Sequence, residues 1–425
     1  MAGPANDTSY LPLLRELWPD TSIEFCLYEE DPWLGSIRKD TNFTEKVRHV
    51  GTGYSAGGGG VSTRFASAKQ YKSPSKTKDF QVSLVSYYAL LSVDGQLARR
   101  AKHGKNKAIV VDPLMTESQL KMEEVRKRLA RDIHRGGTGA IGRISSAGNA
   151  PASSATITLT NAADVRNFEL DMPIQLSSTN GGGTVRAGVC IVTAISEDEA
   201  SPTITVAGTT FADSITAPGT SDYIFPVDAY DNVVYGADSW CPTWSSGSLP
   251  GTFALVDRNA APAKLAGRIV DAATLGITSK RDALLRGARV TKDAGGKPKQ
   301  AMLSTRNWES LAAEIQSAGK VTYTAVAAQG TPKFKPGLEY KAIELISCDG
   351  PMAVMACPDM PDAYARVIDP KDWYLGSCGP LISWQDGAKP GAGMMEENAD
   401  AQEYRAVGDI QLVCQNPGRQ TKILF

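Results

Sequence analysis

Residues 113–135 read PLMTESQLKMEEVRKRLARDIHR, and this stretch decides how the rest of the chain is understood. Asp112 and Pro113 give it a start, because proline fits a first helical turn, and Glu117 suits the positive end of the helix dipole. Met122, Val125, Leu129 and Ile133 recur at helical spacing and make one narrow apolar stripe. Lys121, Arg128, Arg131 and Arg135 share another face. The pattern stops at Gly136-Gly137-Thr138-Gly139. The spacing predicts a single long helix that lies on a sheet with one stripe and presents cations elsewhere.

Working outward, residues 44–93 predict an arm. A strand is expected over 44–50, then a glycine-rich tip over 51–60 with Tyr54 its only large residue. Val61, Thr63 and Phe65 alternate as on a strand, and alternation resumes from Phe80 to Val93 with a slip of phase at Leu84-Val85. The tip carries Lys69, Lys72, Lys76 and Lys78 among Phe65, Tyr71 and Phe80. Such interleaving suits stacking on single-stranded nucleic acid, or an acidic neighbouring protein. The neighbour is preferred, because an arm this poor in apolar residues cannot build a core alone. Upstream, residues 11–18 and 23–28 are short amphipathic patches separated by Pro19.

Beyond the helix, a small polar linker at 145–154 leads to short β-type runs at 156–160, 173–176, 189–195, 203–206 and 223–225. Turn clusters separate them, which predicts a small all-β module. A helix is expected over 280–290, started by Thr278 or Ser279. A strand over 301–303 runs into a helix over 307–318, capped by Ser304 or Thr305. Strands are expected at 340–346, 352–357, 363–367 and 409–414. The fold class is α+β.

The bulk numbers bound the function. The chain has 425 residues, enough for two or three domains, and a formal net charge of -1. Cations are nonetheless concentrated: residues 61–143 hold about ten more Lys and Arg than Asp and Glu. The N-terminus lacks an apolar signal region and no apolar run reaches membrane-spanning length, so no membrane partner is expected. The seven cysteines show no C-x-x-C spacing, which argues against a zinc site or a disulfide framework.

Catalytic motifs fail on context. Gly53-Tyr54-Ser55-Ala56-Gly57 matches a nucleophile elbow, but more glycines follow where a helix is required. The only histidines are His49, His103 and His134, so the late histidine of a triad is missing. Residues 51–56 and 137–142 match a dinucleotide fingerprint, the first without a following helix and the second after a helix. Asp359, Asp362, Asp369 and Asp372 suggest a solvated acidic loop ahead of a cation site. No catalytic residue, cofactor or metal is assigned.

The order of parts resembles the tailed-bacteriophage major capsid proteins of the Hong Kong 97 type. Residues 76–143 carry the likeness most closely: Phe80-Gln81-Val82-Ser83 through Gln96-Leu97 is similar to the return strand of that family's extended loop. The helix at 113–135 with Gly137-Thr138-Gly139 is similar to its spine helix and following turn. The resemblance implies an N-terminal arm (1–43), an extended β-hairpin loop (44–95), and a spine helix with the start of a peripheral domain (96–154). It further implies an inserted β-rich domain (155–228), a peripheral domain (229–336), an axial domain (337–407) and a closing strand (408–425).

It implies self-assembly as hexamers and pentamers into an icosahedral virion head around double-stranded DNA, built in the bacterial host cytoplasm, with portal, scaffold and decoration proteins as further partners. Lys121, Arg128, Arg131 and Arg135 are then candidates to face DNA, and Lys69, Lys72, Lys76 and Lys78 to contact neighbouring subunits. Two alternatives remain: an encapsulin-like compartment, and a carbohydrate-binding module at 155–226, where Phe168, Phe211, Tyr223 and Phe225 are the available aromatics.

Overall fold

The computed structural model describes residues 31–94, 113–146, 149–198, 202–317, 343–385, 394–395 and 400–425. The amphipathic patches at 11–18 and 23–28 lie outside this set. The described residues divide into two units: those within 1–50, 81–131 and 373–413 form one, and those within 51–80, 132–372 and 414–425 the other.

The first unit is organised by one long strand, Ala401–Cys414. Val85–Asp94 pairs antiparallel along it from Val85↔Ile410 to Asp94↔Ala401, and Ser383–Trp384, Met394–Met395 and Trp373–Ser377 join the same sheet. Arg38–Asp40 adds a parallel edge to Trp373–Ser377. Side-chain alternation sets the two faces: Tyr87, Ala89 and Leu91 are buried, while Tyr88 and Leu90 are exposed. The expected slip of phase is a break at Ser83-Leu84 between Lys76–Val82 and Val85–Asp94.

The Pro113–His134 helix forms as its spacing predicts, with Val125, Leu129 and Ile133 buried and Met122 partly so. The guanidinium of Arg128 lies 5.8 Å from the Tyr87 ring centroid, which sets the helix against the buried face of the sheet. Asp31 caps the short Pro32–Ser36 helix by accepting from the backbone N–H of Trp33 (2.8 Å) and Leu34 (3.1 Å). Trp33 then meets Trp373 edge-on at 5.6 Å.

In the second unit, residues 142–226 form an antiparallel sheet in the order Gly142–Arg143, Tyr223–Pro226, Pro173–Ser177, Cys190–Ser196, Thr203–Val206, Thr156–Thr158. Its two ends meet. Ile144 bridges Leu159, Ser145 N–H donates to Thr158 O (2.9 Å), and Thr160 N–H donates to Arg143 O (2.8 Å). The sheet is therefore a closed six-stranded barrel, and closure removes the edge strands that an open sheet would expose. Fifteen buried residues, among them Ile141, Phe168, Leu176, Val192 and Phe211, fill it.

The second layer is a six-stranded mixed sheet in the order Arg268–Asp271, Thr421–Leu424, Tyr364–Ile368, Gln300–Leu303, Gly350–Ala356, Ile343–Ser347. The helices Lys280–Asp293 and Thr305–Ser317 cover one face, bringing Ala283, Leu284, Ala288 and Leu311 onto Ala301, Leu303, Val367 and Ile423. Ser279 caps the first helix as expected, and Glu314 of the second reinforces that end by accepting from Ser279 Oγ (3.0 Å) and Lys280 N (2.9 Å). Strands from residues 229–336 and from 337–407 are hydrogen-bonded neighbours here: Gln300–Leu303 lies between Gly350–Ala356 and Tyr364–Ile368. The sequence segments expected as separate peripheral and axial domains thus share one sheet.

Three local expectations are corrected. The strand expected over 44–50 runs over Arg48–Ser55, because Gly51 and Gly53 continue the extended backbone. Residues 61–65 are not a strand: Phe65–Gln70 is a short helix with no buried residue, so the alternation of Val61, Thr63 and Phe65 had no face to cover. Asp369 and Asp372 do not sit in a solvated loop but are buried. Asp369 accepts from Lys297 N–H (2.9 Å), and Asp372 from Asn416 (2.9 Å) and Gln420 (3.0 Å).

Phe80 anchors the base of the hairpin arm. It is fully buried, 5.4 Å from the Trp240 ring and 6.2 Å from Phe253, with Trp240 and Tyr235 also packed on Phe253. Phe80→Ala is expected to cost about 3–5 kcal/mol, the usual range for emptying a buried aromatic site. Urea unfolding monitored by tryptophan fluorescence measures it, and a loss below about 1 kcal/mol would show that the cluster does not hold the arm.

Candidate assembly surfaces

The arm is built from Arg48–Ser55 and Lys76–Val82, which pair with each other in a two-stranded sheet. Its distal part is held only by local bonds among described residues: Gly59 N–H to Ser73 Oγ (3.1 Å), Ser73 Oγ to Gly57 O, and the turn of the Phe65–Gln70 helix. Gly57 and Gly60 have positive φ, and a Cβ at Gly59 would meet Tyr71 O at 1.8 Å, so the tip packs backbone on backbone. Apolar side chains stand in solvent there: Val61 is 94% exposed, Phe65 83% and Tyr71 67%. Lys69, Lys72 and Lys76 are exposed beside them and Lys78 is half-buried. Residues 56–78 contain no Asp or Glu. The surface is apolar and purely cationic at once, a composition that fits a protein surface carrying acidic groups.

The helix cations behave differently from expectation. Arg131 is 4% exposed, so it offers nothing to a phosphate. Arg135 is tied to Asp164 (2.7 Å) and to Ala140 O (2.9 Å); burial opposes its charge, but the Asp164 carboxylate holds its pKa above the ordinary value. Arg128 is half-buried over Tyr87, and Lys121 pairs with Glu124 one turn on (2.7 Å). The one cation face that spacing suggests is divided by packing: Arg131 and Arg135 are turned inward, while Arg128 and Lys121 remain half-buried beside Tyr87 and Glu124.

The glycine turn after the helix is required by close approach. Gly139 has φ +85, and a Cβ there would come within 2.2 Å of Ala229 O. The turn leads to a buried polar cluster that sequence reading missed. Tyr364, Arg366 and Lys422 alternate with Ala365, Val367 and Ile423, so they emerge on the sheet face opposite the two helices. There Asp238 accepts from Lys422 Nζ (2.6 Å), the Tyr364 hydroxyl (2.5 Å) and Arg366, whose other guanidinium nitrogen donates to His134 O (3.1 Å). Burial alone would raise the Asp238 pKa, but Arg366 and Lys422 bring it below the ordinary value. Burial raises the Tyr364 phenol strongly, so it stays protonated and serves as a donor. Every group points at another group of the cluster, which is the pattern of a structural fastener.

Within the first unit a cavity of ≈ 410 Å³ lies between the long helix and the chain after Asp31, lined by Leu34, Met122, Leu129, Ala130, Leu381 and Ile382 with charges at its rim. Gly53-Tyr54-Ser55-Ala56-Gly57 runs off the end of a strand into the exposed tip, so Ser55 has no oxyanion-hole setting. In the barrel, Phe168, Phe211 and Phe225 are buried and Tyr223 is half-covered beneath Arg143 (4.8 Å), which leaves no aromatic platform for a sugar. No helix among the described residues is long and apolar enough to cross a membrane.

A sheet backed by a helix, a two-stranded hairpin and a second, helix-covered sheet make a fold similar to that of a solved phage capsid structure. No family model and no curated protein matches the sequence. Among solved structures, the cyanophage A-1(L) capsid asymmetric unit is similar over 96% of this chain and 97% of that chain, with TM-score 0.54 and 13% identity. A structure from Mycobacterium phage Ogopogo is similar over 99% of both chains (TM-score 0.45, 10% identity). An encapsulin complex from Synechococcus elongatus PCC 7942 is similar over 99% of this chain and 95% of that chain (TM-score 0.45, 8% identity). At such identities the likeness is one of fold.

Proposed function

We propose that this chain is the major capsid protein of a tailed bacteriophage, of the Hong Kong 97 type, and that many copies assemble into an icosahedral shell enclosing double-stranded DNA. The observation that carries this reading is the hairpin arm, whose Val61, Phe65 and Tyr71 find no cover among the described residues of their own chain. Exposed apolar groups on a projecting arm gain stability only by lying on another molecule, and the capsid fold supplies identical neighbours. In this reading the first unit, with the Pro113–His134 helix, is the peripheral domain. The helix-covered sheet of the second is the axial domain, and the barrel is the insertion. Assembly proceeds through hexamers and pentamers in the host cytoplasm. No side chain is assigned a catalytic role.

Electron microscopy of the expressed protein tests the proposal. Closed shells or ring-shaped capsomers are expected, and persistent monomers across salt, pH and concentration would overturn it. The contents of particles purified from phage-infected cells separate this reading from an encapsulin-like compartment: packaged DNA supports the former and a protein cargo the latter.

A further inference from the structure

The order of strands in the second unit's mixed sheet gathers cations at one end. Arg268–Asp271 and Thr421–Leu424 run parallel, Tyr364–Ile368 runs against them, and Gln300–Leu303 runs against that in turn. The starts of three strands and the end of the fourth therefore lie side by side, with Arg268↔Thr421, Val367↔Thr421 and Gln300↔Ile368 in register. Each of the four brings a cation to that end. Arg268 begins the first strand, Arg419 precedes the second, Lys371 follows the third, and Lys297 precedes the fourth.

Lys264 joins them, because Gly418 packs against its backbone so closely that a Cβ would lie 2.6 Å from Lys264 O. Backbone contacts tie the rest together: Arg268 N–H donates to Gln420 O (2.9 Å), Lys371 N–H to Asp369 (3.2 Å), and a Cβ at Gly296 would lie 3.1 Å from Arg419 O.

Lys264, Lys297, Lys371 and Arg419 are exposed and Arg268 is half-buried. Two acids of this end lie underneath, and a third, Asp293, is exposed ahead of Lys297 within 3.8 Å of Arg289. Asp369 and Asp372 are 5% and 4% exposed and are occupied by backbone N–H groups and by Asn416 and Gln420, with Arg419 3.6 Å from Asp372. At the next strand the surplus ends, since Asp349 pairs with Lys292 and with Lys299 (3.6 Å). None of the large exposed apolar side chains belongs to the loops that carry these five cations. A protein interface needs an apolar centre, whereas a run of cations without one fits the evenly spaced phosphates of a duplex. The hairpin tip, with its aromatic groups, has the opposite composition.

We propose that this end of the sheet, through Lys264, Arg268, Lys297, Lys371 and Arg419, is the surface on which the shell protein holds double-stranded DNA, by phosphate contact without sequence preference. The proposal rests on the DNA-enclosing reading above and replaces the long helix as the DNA-facing element.

The test is binding of a fluorescein-labelled 20-base-pair duplex to the full-length unassembled protein across a salt series, followed by anisotropy. Each phosphate contact adds about 0.9 to the slope of log affinity against log salt. The variant K264Q/R268Q/K297Q/K371Q/R419Q is expected to lower that slope by about 4.5 and to weaken binding at least about 100-fold at low salt. A triple variant of the exposed lysines, K264Q/K297Q/K371Q, guards against misfolding and is expected to lower the slope by about 2.7.

An unchanged slope in the folded triple variant overturns the proposal. So does a wild-type protein with no salt-dependent affinity for the duplex, or a larger loss from K69Q/K72Q/K76Q/K78Q, which would assign polyanion contact to the arm. Binding of an acidic protein surface by the sheet end with no duplex affinity also overturns it. Shell formation by the variants is scored separately in the microscope, so failure of the DNA surface and failure of the shell reading are distinguishable.

Discussion

Replacing residues 56–75 by Asn-Gly, so that Arg48–Ser55 and Lys76–Val82 join through a two-residue turn, is expected to abolish shell formation and leave the subunit folded. The expectation follows from where the arm's energy resides. Distal to Ser55 the Phe65–Gln70 helix buries nothing, and the hydrogen bonds described there begin and end within the tip. The anchoring contacts lie at the base, where Phe80 packs on Trp240 and Phe253, and Thr52 Oγ1 donates to Gln415 O (3.0 Å).

Asn-Gly supplies the positive φ values that a two-residue hairpin demands. The thermal midpoint should therefore move by no more than about 2 °C, within the range of surface changes in a chain of this size. Assembly should fall below detection in sedimentation velocity and electron microscopy. The milder F65A/Y71A isolates the apolar part: it should reduce shell yield strongly with the lysines intact, if these side chains dock in a neighbour's surface. Normal shells from the shortened arm would show that the exposed aromatics are not assembly contacts.

How far the sequence discloses this architecture depends on how local each signal is. The Pro113–His134 helix is legible because its apolar stripe repeats within one segment, and the barrel strands because each alternates between turn residues. The strand expected at 409–414 starts at Ala401 instead. Its first half alternates buried Tyr404, Ala406 and Gly408 with half-buried Glu403, Arg405 and Val407, a pattern that charged residues conceal. Alternation misleads at 61–65, where nothing needs covering.

The helix cation face was legible as spacing, but not as exposure: Arg131 is buried, and Asp164, which binds Arg135, is 29 residues away. The sheet-end cations illustrate the limit most clearly. Lys264 and Arg419 are about 155 positions apart, and neither sits in a basic run. Only the order in which four strands are paired makes them neighbours, and strand order is a property of the whole core.

Asp238→Ala is expected to destabilise the second unit strongly. Arg366 is 1% exposed and Lys422 3%, and both point at this carboxylate, about a fifth of whose side chain is exposed. Removing it leaves two cations in a site that burial already makes unfavourable for Lys422, whose pKa lies below the ordinary value. Breaking a buried pair in this way costs about 3–5 kcal/mol, a large part of a typical domain's stability, and corresponds to a fall of about 8–15 °C in melting temperature.

The same cluster predicts an acid limb. The Asp238 pKa is depressed in the folded chain, so its stabilisation is complete above the unfolded carboxylate value of about 3.9 and disappears as pH falls through the lower folded value. Wild-type stability should therefore drop steeply below about pH 4, and the Ala variant should show a shallower slope there. Urea unfolding at a series of pH values measures both effects. Replacing Asp238, Arg366 and Lys422 together by Leu, Met and Met should recover most of the loss, because no charge is then left unpaired. If the single variant melts within about 2 °C of wild type, Arg366 and Lys422 find other anions, and Asp238 does not fasten the turn after the long helix to the sheet.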